Sequence, residues 1–264
     1  MGVKGKEERV ILAPDRQNQI LKIVLEKKVA TVSELAEHFN VHEATIRRDL
    51  SALEQLGKLR RTHGGVMIAD GEVHSEPPFQ ERESAQYDEK KRIGEFSGRF
   101  INDGDNIVLD SGTTTVHVVD SIMKRKNVTV ITNDINIAAK LRFSTQNKVI
   151  VTGGNLFPES YMLNGMLTDS ALNKMYVQTA FIATPAFHPE LGLSHFDDYL
   201  IPAKKNMIKC AKKVVLLADH TKIGKVSLHK VTGVEKIDVL ITGKEVDDQL
   251  KHYLEDAPMK VYFV

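Results

Sequence analysis

Cysteine is almost absent from this chain of 264 residues, whose one cysteine is Cys210. A lone cysteine cannot form an internal disulfide, and its setting predicts a small buried thiol rather than a nucleophile. The sequence also lacks any apolar run near the roughly 20 residues of a membrane-spanning helix. Its first residues contain no long apolar stretch of the kind that signal peptides carry. We therefore expect a cytoplasmic protein without a membrane partner.

Common catalytic and metal-binding motifs are missing as well. The 10 histidines form no HExxH, HxH or similar cluster, so we predict no metal site. There is no GxSxG motif, which excludes a nucleophile elbow. The glycine spacing does not fit a nucleotide P-loop. We expect no cofactor and no catalytic residues.

Charge of one sign does not dominate either. The 36 Lys and Arg residues nearly balance the 35 Asp and Glu residues, which leaves a net charge of +1. Any nucleic-acid binding must therefore be local rather than a property of the whole surface. The length predicts two domains.

The most informative stretch is Val41 to Gly65, VHEATIRRDLSALEQLGKLRRTHGG. Ile46, Leu50 and Leu53 have the spacing of one helix face. A short basic hairpin follows this helix. Five cations lie on the helix and hairpin, against the two anions Asp49 and Glu54: Arg47, Arg48, Lys58, Arg60 and Arg61. This pattern suits a helix in the DNA major groove and a loop along the phosphates.

The preceding segment supports that interpretation over a merely solvated surface helix. Asp15 to Lys28 has apolar residues on one helical face, and Thr31-Val32-Ser33-Glu34 predicts a capping box at the next helix start. Asn40-Val41 then predicts a tight turn. Three short helices with such a turn before the last form a helix-turn-helix, and the hairpin is its wing.

ELAEHFNV and TIRRDLSALEQLGKLRRTHGG resemble the N-terminal domain of the DeoR family of bacterial transcription regulators over about Asp15 to Gly65. The family usually has serine where this chain has His42, and histidine is a poor helix cap. Either another group caps the helix or His42 itself touches DNA. The predicted DNA-binding residues are Thr31, Ser33, His42, Thr45, Arg47, Arg48, Lys58, Arg60, Arg61 and His63.

Beyond this region, Met67 to Gln86 contains Asp70-Gly71 and Pro77-Pro78 among polar residues, which predicts a linker. We expect a flexible extension at 1–13, a winged helix-turn-helix at 14–69, a linker at 70–87 and an effector-sensing domain at 88–264. Short runs rich in Val and Ile then alternate with helical patterns, and such runs are typical of buried parallel strands. The fold class predicted for this domain is α/β, a doubly wound, mostly parallel sheet.

Polar or glycine-containing turns follow three successive predicted strands: Asp110 to Thr115, Thr132 to Asp134, and Thr152 to Asn155. Ligands of such sheets bind beyond the carboxyl ends of the strands. The first turn, DSGTTT, offers hydroxyls and backbone amides that suit one phosphate group. The alternative is that its threonines only cap the next helix. Asp219 and Lys222, after a later strand, could bind a ligand or pair with each other.

The order DSGTTT, ITN, VTGG, GLS and LLADHTKIG resembles the effector domain of the same family from about Asp88 onward. The resemblance implies a domain related to ribose-5-phosphate isomerase and coenzyme A transferases that senses phosphorylated sugars. It places the phosphate at Ser111, Gly112, Thr113 and Thr114. It places the sugar against Asp110, Asn133, Gly153, Gly154 and Lys204, with Asp219 and Lys222 at the rim.

Two segments of the implied pocket wall depart from the family pattern. Leu200-Ile201 stands where many members have Glu-Ala, and Ala183-Thr184-Pro185-Ala186 stands where many have Gly-x-x-Gly. We expect these segments to affect which effector binds.

The combined prediction is a transcriptional regulator, a repressor of a carbohydrate-utilisation operon that binds double-stranded operator DNA and responds to a sugar phosphate. We expect a homo-oligomer, a dimer or tetramer, because paired helices read half-sites about one helical turn apart. One alternative is a sugar-phosphate isomerase with an appended helical domain, in which Asp110 or Asp219 would be the base. Another is a winged helix that binds a partner protein.

Overall fold

The structure, a computed structural model, describes residues 13–27, 29–55, 59–61, 65–68, 72–73 and 75–264. The chain forms two compact units, Met1–Gly71 and Glu72–Val264. Within the described ranges, none of the helices combines the length and the apolar character that a bilayer crossing requires.

The first unit contains three helices and a small sheet. The helices are α1 (Ala13–Lys27), α2 (Val32–Phe39) and α3 (Glu43–Gln55), and the strands are β1 (Val29–Thr31), β2 (Leu59–Arg61) and β3 (Gly65–Ile68). The sheet is antiparallel in the order β1-β3-β2, so β2 and β3 form the predicted wing. The predicted capping box is present: Glu34 N donates to Thr31 Oγ1 at 3.2 Å, and Thr31 N donates to Glu34 Oε2 at 2.8 Å.

The core of the first unit is built from one face of each helix. Ile46, Leu50 and Leu53 of α3 are at most 2% exposed, which confirms their predicted common face. Arg16 of α1 reaches Asp49 of α3 with a 2.6 Å contact between Nε and Oδ2, and both side chains are buried. This ion pair joins the first helix to the last.

The second unit begins with β4 (Glu72–Val73), α4 (Phe79–Ser84) and α5 (Tyr87–Ser97). Five more α-helices follow: α6 (Val119–Ile122), α7 (Ile135–Leu141), α8 (Met166–Leu172), α9 (Ile201–Cys210) and α10 (Asp248–Glu255). The seven strands of its main sheet are β5 (Asn106–Leu109), β6 (Thr129–Thr132), β7 (Lys148–Val151), β10 (Val177–Ala183), β13 (Ala211–Leu217), β16 (Val239–Thr242) and β17 (Lys260–Phe263).

All the pairings in this main sheet are parallel, and the strand order is β17-β16-β13-β10-β5-β6-β7. The chain enters this sheet at β5, runs outward through β6 and β7, returns to the central strand β10 beside β5, and then runs outward on the other side. The direction of winding therefore reverses between β5 and β10, as in a doubly wound fold, and confirms the predicted class.

Two hydrophobic clusters cover the two faces of this sheet. Val108 of β5 belongs to one cluster, whereas its neighbours Ile107 and Leu109 belong to the other, because successive side chains of a strand point to opposite faces. Cys210 lies in the first cluster, and burial raises the pKa of its thiol to about 11. The expectation of a small buried thiol is confirmed by this position.

Smaller strands complete the second unit, and sequence patterns did not indicate them. They are the hairpin of β8 (Asn155–Phe157) with β9 (Met162–Asn164), a sheet of β11 (Ala186–His188), β12 (Gly192–His195) and β15 (His229–Thr232), and β14 (Val226–Ser227), which pairs with β4. After β5, the helical segment begins as a 3-10 turn, Thr115–Val118, that leads into the single turn of α6.

The segment 70–87 was predicted to be a linker between the domains. In the structure, residues 72–73 and 75–87 belong to the folded second unit. Glu72 and Val73 form β4, which pairs in parallel with Val226 and Ser227. Phe79 of α4 is buried with its ring edge-to-face on Tyr161, at 5.1 Å between centroids. The Pro-Pro pair suggested a linker, but the aromatic residue that follows it anchors the segment.

Candidate functional site

The helix-turn-helix presents α3 through a turn at Asn40, whose φ of 49° ends α2 in the left-handed conformation. His42 occupies the position before α3, and its Nδ1 accepts a 3.3 Å hydrogen bond from Ala44 N. The side chain that replaces the usual serine therefore caps the helix itself.

The outward face of α3 carries two arginines, which Glu43 and Glu54 balance in number. Arg47 and Arg48 are exposed, and Arg47 pairs with Glu43 one turn earlier at 3.1 Å. Asp49, one of the two anions counted on this stretch, is buried against Arg16, so its charge does not oppose the arginines at the surface. The face is thus more basic than its composition indicates.

The other predicted DNA-binding residues differ in their exposure and in the element on which they lie. Ser33 is exposed, whereas Thr31 and Thr45 are half-buried and Thr31 also forms the capping box. Arg60 and Arg61 lie on β2 opposite Met67 and Val66 of β3. Lys58 and His63 lie outside the described residues.

In the second unit, a cavity of about 320 Å³ opens at the carboxyl edge of the sheet, on the side of the switch point between β5 and β10. It is lined by the turns that follow β5, β10 and β13, and on its other side by residues 76–86. Because the helices after β5 and β10 leave toward opposite faces, a doubly wound sheet opens a crevice at this point.

The turn after β5 contributes Ser111 to Thr114 to the cavity wall. Gly112 packs so closely that a Cβ atom there would lie 2.7 Å from the Ala183 Cβ. Thr114 precedes the 3-10 turn but makes no side-chain cap bond, and no hydrogen bond of the Thr113 or Thr114 hydroxyl is recorded among the described residues. The capping alternative therefore does not account for these two threonines.

Ser111 lines the cavity, but its hydroxyl bonds to a residue outside the cavity wall. Its Oγ donates to Asp134 Oδ2 at 2.8 Å, while Asp134 Oδ1 accepts from Ile137 N at 2.9 Å and caps α7. Burial raises the pKa of Asp134, although the bonds from Ile137, Ser111 and other donors act in the opposite direction.

Asp110 and Lys204 form a buried ion pair at the floor of the cavity, with 2.5 Å between Oδ2 and Nζ. Asp110 Oδ2 also accepts from Ala183 N at 3.0 Å, and Lys204 Nζ also donates to Ala183 O at 2.9 Å. Lys204 lines the cavity. The pair fastens β5, β10 and α9 together beneath the cavity.

Asp219 and Lys222 do not pair with each other. Asp219 accepts from Thr221 N at 3.1 Å and from the Thr221 hydroxyl, whereas the described residues supply no carboxylate within salt-bridge distance of Lys222. Both residues line the cavity. Lys222 is therefore a cation at the wall whose counterion is not found in the described part of the chain.

Asn133, Gly153 and Gly154 lie at the ends of β6 and β7 and are not among the residues that line the cavity. Asn133 Nδ2 donates to Leu163 O at 3.1 Å, and its backbone carbonyl accepts from Leu163 N at 2.7 Å. Gly154, at φ +123°, lies so close to β9 that a Cβ would be 2.5 Å from Asn164 O. Asn133 and Gly154 thus hold the β8–β9 hairpin against the sheet, whereas the Gly153 carbonyl accepts from Thr168 Oγ1 at 2.6 Å.

The departures from the family pattern do reach the cavity: Leu200, Ala183, Thr184 and Pro185 all line it. Sequence reasoning missed five further charged or titratable residues of the wall: Glu76, Glu81, Arg82, Lys90 and His195. Burial lowers the pKa of Lys90, and burial together with nearby Lys204 lowers the pKa of His195 to about 3. For Lys90, the signal in the sequence is the EKKR run at 89–92, and such a charge run usually marks a solvated face.

Comparisons with known proteins match both units. Residues 16–72 match the family model described as the DeoR-like helix-turn-helix domain, and residues 85–244 match the one described as the DeoR C-terminal sensor domain. The HTH-type transcriptional regulator YulB of Bacillus subtilis (strain 168), named as uncharacterized, is 34% identical over 95% of this chain and 96% of its own length.

The glycerol-3-phosphate regulon repressor of Escherichia coli (strain K12) is 27% identical over 86% of this chain and 89% of its own length. Among solved structures, ribose 5-phosphate isomerase A from Methanocaldococcus jannaschii aligns with 53% of this chain and 55% of its own, at a TM-score of 0.40 and 15% identity.

The protein is thus of the class of transcriptional regulators that join a winged helix-turn-helix to an α/β sensor domain. Within that class, the chain belongs to the DeoR family. The matching family models describe DNA-binding and sensor domains and not catalytic ones, so the protein is a regulator rather than an enzyme. Its partners are DNA and a small-molecule effector.

Proposed function

We propose that the protein represses a carbohydrate-utilisation operon and releases its operator when a phosphorylated sugar binds the cavity of the sensor unit. The observation that carries the proposal is the wall of this cavity. The hydroxyls of Thr113 and Thr114 and the ammonium of Lys222, which have no partner among the described residues, line one space of about 320 Å³. Ligand cavities of ~300–1,000 Å³ accommodate small metabolites.

The charge pattern supports a phosphate rather than a neutral sugar. Lys204 is neutralised by Asp110, and Arg82 is paired with Glu76 at 3.1 Å. Lys90 and Lys222 also line the cavity, together with the carboxylates of Glu81 and Asp219, and among the described residues no carboxylate lies within salt-bridge distance of Lys222. A phosphate group accepts hydrogen bonds from hydroxyls and backbone amides and is attracted by the cation. The E. coli relative is named a glycerol-3-phosphate regulon repressor, and this name agrees with a phosphorylated effector.

Of the residues predicted to contact the sugar, Lys204 lines the cavity. Asp110 does not line it, but it positions the Lys204 ammonium through the ion pair. Asn133, Gly153 and Gly154 were predicted to touch the sugar. The contacts of Asn133 and Gly154 with the β8–β9 hairpin support a different role for these two, in which they hold the neighbouring wall residues Ser160 and Met162 in place.

On DNA, Arg47 and Arg48 would contact bases or phosphates from α3, with the backbone held by Thr31, Ser33 and Thr45. The wing residues Lys58, Arg60, Arg61 and His63 would lie along the phosphates. His42 would orient α3 by capping it. We propose a homo-oligomer, because one short helix reads too few base pairs to be specific.

Release by the effector requires that the sugar phosphate bind the DNA-free state more tightly than the DNA-bound state. The test is a fluorescence titration of the full-length protein against its own promoter region, with and without a panel of hexose, pentose and triose phosphates. The matched control for each compound is the unphosphorylated sugar. We expect one phosphorylated compound to weaken DNA binding and its parent sugar to have no effect.

Two variants separate the two sites in the same titration. Arg47→Ala/Arg48→Ala should reduce the slope of log affinity against log salt by about 0.9 for each phosphate that the variant no longer neutralises. Lys222→Met should leave DNA binding intact and weaken the effector response about tenfold or more, as for removal of a charge-assisted bond. Lys124→Ala removes an exposed cation of the sensor unit and controls for net charge.

Binding to DNA that no compound alters would overturn the effector half of the proposal. A salt dependence that stays the same in the double arginine variant would remove Arg47 and Arg48 from the DNA contacts. No binding to the promoter region at low salt would overturn the operator assignment.

A further inference from the structure

Residues 75–86, here called the strap, form the wall of the cavity that faces the sheet edge. Glu76, Phe79 and Arg82 of the strap line the cavity together with Ala85 and Gln86. The strap follows the DNA-binding unit and β4 in the chain, and it includes all of α4. Together with β4, it is the part of the sensor unit nearest in sequence to the helix-turn-helix.

Contacts at its two sides hold the strap in place. Phe79 packs edge-to-face on Tyr161, and Gln80 Nε2 donates to Tyr161 Oη at 3.2 Å. Just before the strap, Ser227 Oγ donates to Val73 O. These contacts fix the beginning of α4 but not its end.

The end of α4 is held by the side chain of Lys90, which reaches back from α5. Its Nζ donates to the carbonyl oxygens of Arg82 and, at 2.7 Å, Ala85. The last carbonyls of a helix have no partner within the helix, so an ammonium here satisfies them. Gln86, which joins α4 to α5, has a φ of 49°, a conformation that a non-glycine residue adopts only when its surroundings hold it.

Lys90 has a third N–H group, and among the residues that the structure describes it has no acceptor for it. The side chain is only 3% exposed and lines the cavity. Ammonium groups carry three donors, and a buried one with an unused donor favours an anion as the next partner. The carboxylates of Asp219 and Glu76 raise the pKa of Lys90, and the cations Lys222 and Arg82 lower it, but burial has the largest effect and lowers it.

Two cations that repel each other at one cavity wall attract a single anion between them. Lys90 and Lys222 form such a pair, because both line the cavity, Lys222 lowers the pKa of Lys90, and the described residues place no carboxylate within salt-bridge distance of Lys222. A phosphate group that accepts from the third N–H of Lys90 would relieve this repulsion. It would also strengthen the hold of Lys90 on the two carbonyls of the strap.

We propose that Lys90 binds the anionic group of the effector and couples it to the strap, so that ligand binding orders the end of α4. This inference rests on the proposed sugar-phosphate function and names the residue through which that site acts on the preceding chain. The coupling is local. It passes from the anion to Lys90 and from Lys90 to the carbonyls of Arg82 and Ala85.

The test is hydrogen–deuterium exchange of the full-length protein with and without inorganic phosphate at saturating concentration, read in peptides that cover residues 79–90. The amides that report are Ala85, bonded to Glu81 O, and Lys90, bonded to Gln86 O. We expect phosphate to slow their exchange severalfold in the wild type. The matched control is Lys91→Met, because Lys91 is exposed on the same helix.

In Lys90→Met, phosphate should no longer slow this exchange, and calorimetry should show about tenfold to a hundredfold weaker phosphate binding. Lys90→Gln provides a second reading if the methionine variant does not fold. Its amide keeps two donors for the carbonyls, so the strap should stay protected without phosphate while the phosphate-dependent gain is abolished.

The outcomes separate this inference from the proposed function. If the wild type binds phosphate or a sugar phosphate but Lys90→Met and Lys90→Gln keep the full gain in protection, the coupling through Lys90 is overturned and the cavity remains the effector site. Binding by the wild type without any change in strap exchange overturns it equally. If neither phosphate nor any sugar phosphate binds the wild type, the proposed function fails and this inference fails with it.

Discussion

The sheet of the sensor unit carries polar turns on both sides of strand β5, but these turns have different roles on the two sides. The turns after β5, β10 and β13 contribute Thr113, Thr184 and Lys222 to the cavity wall. Toward β6 and β7, Asn133 and Gly154 instead hold the β8–β9 hairpin. Polar turns of similar composition thus line the cavity on the β10 side and stabilise the fold on the β6 side. The reason is that the crevice opens at the switch point between β5 and β10.

The largest expected effect compares one carboxylate from each side. Asp110→Ala leaves the buried ammonium of Lys204 without its counterion, which should cost about 3–5 kcal/mol in the free energy of unfolding. Asp134→Ala removes a helix cap on the other side and should cost only about 1–2 kcal/mol. Urea denaturation of the two variants measures the difference.

Asp110→Leu/Lys204→Met removes both charges of the pair and controls for the charge left behind. This double variant should recover most of the stability that Asp110→Ala removes. Equal effects of the Asp110 and Asp134 single variants would break the comparison, since they would mean that the ion pair is no more critical than a cap.

A second comparison uses one glycine from each side. A Cβ at Gly112 would lie 2.7 Å from the Ala183 Cβ, so Gly112→Ala should displace the turn and weaken phosphate binding by about tenfold or more. At Gly153 a Cβ would meet nothing within 4 Å, but φ is +74°. Gly153→Ala should therefore cost about 1–2 kcal/mol of stability and leave the affinity unchanged.

Calorimetric titration with the sugar phosphate that acts on the wild type, alongside thermal unfolding, reads both quantities for the two glycine variants. A decrease of affinity in Gly153→Ala similar to that in Gly112→Ala would place the end of β7 in the binding site, as the sequence alone predicted.

The smallest expected effect is on the pH dependence of stability. Here His195, on one side of β5, and Asp134, on the other, contribute with opposite signs. Burial lowers the folded-state pKa of His195 to about 3, so the unfolded state binds the proton more tightly. This contribution to stability is present above about pH 6.5 and is lost as the pH falls toward 3, by about 1.4 kcal/mol per pH unit at most. Burial raises the pKa of Asp134, whose contribution is therefore lost as the pH rises from 3.8 through its folded-state pKa.

His195→Asn keeps an acceptor for Asp197 N, which donates to His195 Nδ1 at 3.1 Å, and removes the titrating ring. Chemical denaturation between pH 7 and 5 should show a smaller decrease of stability in this variant than in the wild type. His252→Asn, at an exposed position, is the control and should leave the slope unchanged. A slope equal to that of the wild type in His195→Asn would contradict the prediction.

The fold of both units could be predicted from the sequence because their signals are local. The capping box at Thr31 and the helix face of Ile46 and Leu50 are set by spacing, and runs such as NIVL and VLIT are apolar because both sheet faces are covered. The strap could not be predicted in this way. Its order depends on Phe79 meeting Tyr161, 82 positions later, and no periodicity records such a contact.

The candidate site was predictable to a smaller extent for a related reason. Sequence shows which turns follow strands but not which strands are neighbours across the sheet, so the turns after β5, β6 and β7 were grouped because they are successive. The order β10-β5-β6 brings the turn after β10 next to that after β5. Lys90 was missed because a lysine in a charged helix is ordinarily solvated, and only the packing of α4 over α5 buries it.

The pairing of β4 with β14 defines where an independently folding sensor fragment must begin. A fragment that starts at residue 88, after the predicted linker, would lack β4 and the strap, and with them one wall of the cavity and the buried ring of Phe79. Such a fragment would expose Tyr161 and leave the carbonyl partners of Lys90 behind. An excision at residue 72 keeps the whole binding chamber in one piece, and crystallisation, ligand screening and domain exchange with relatives should use that boundary.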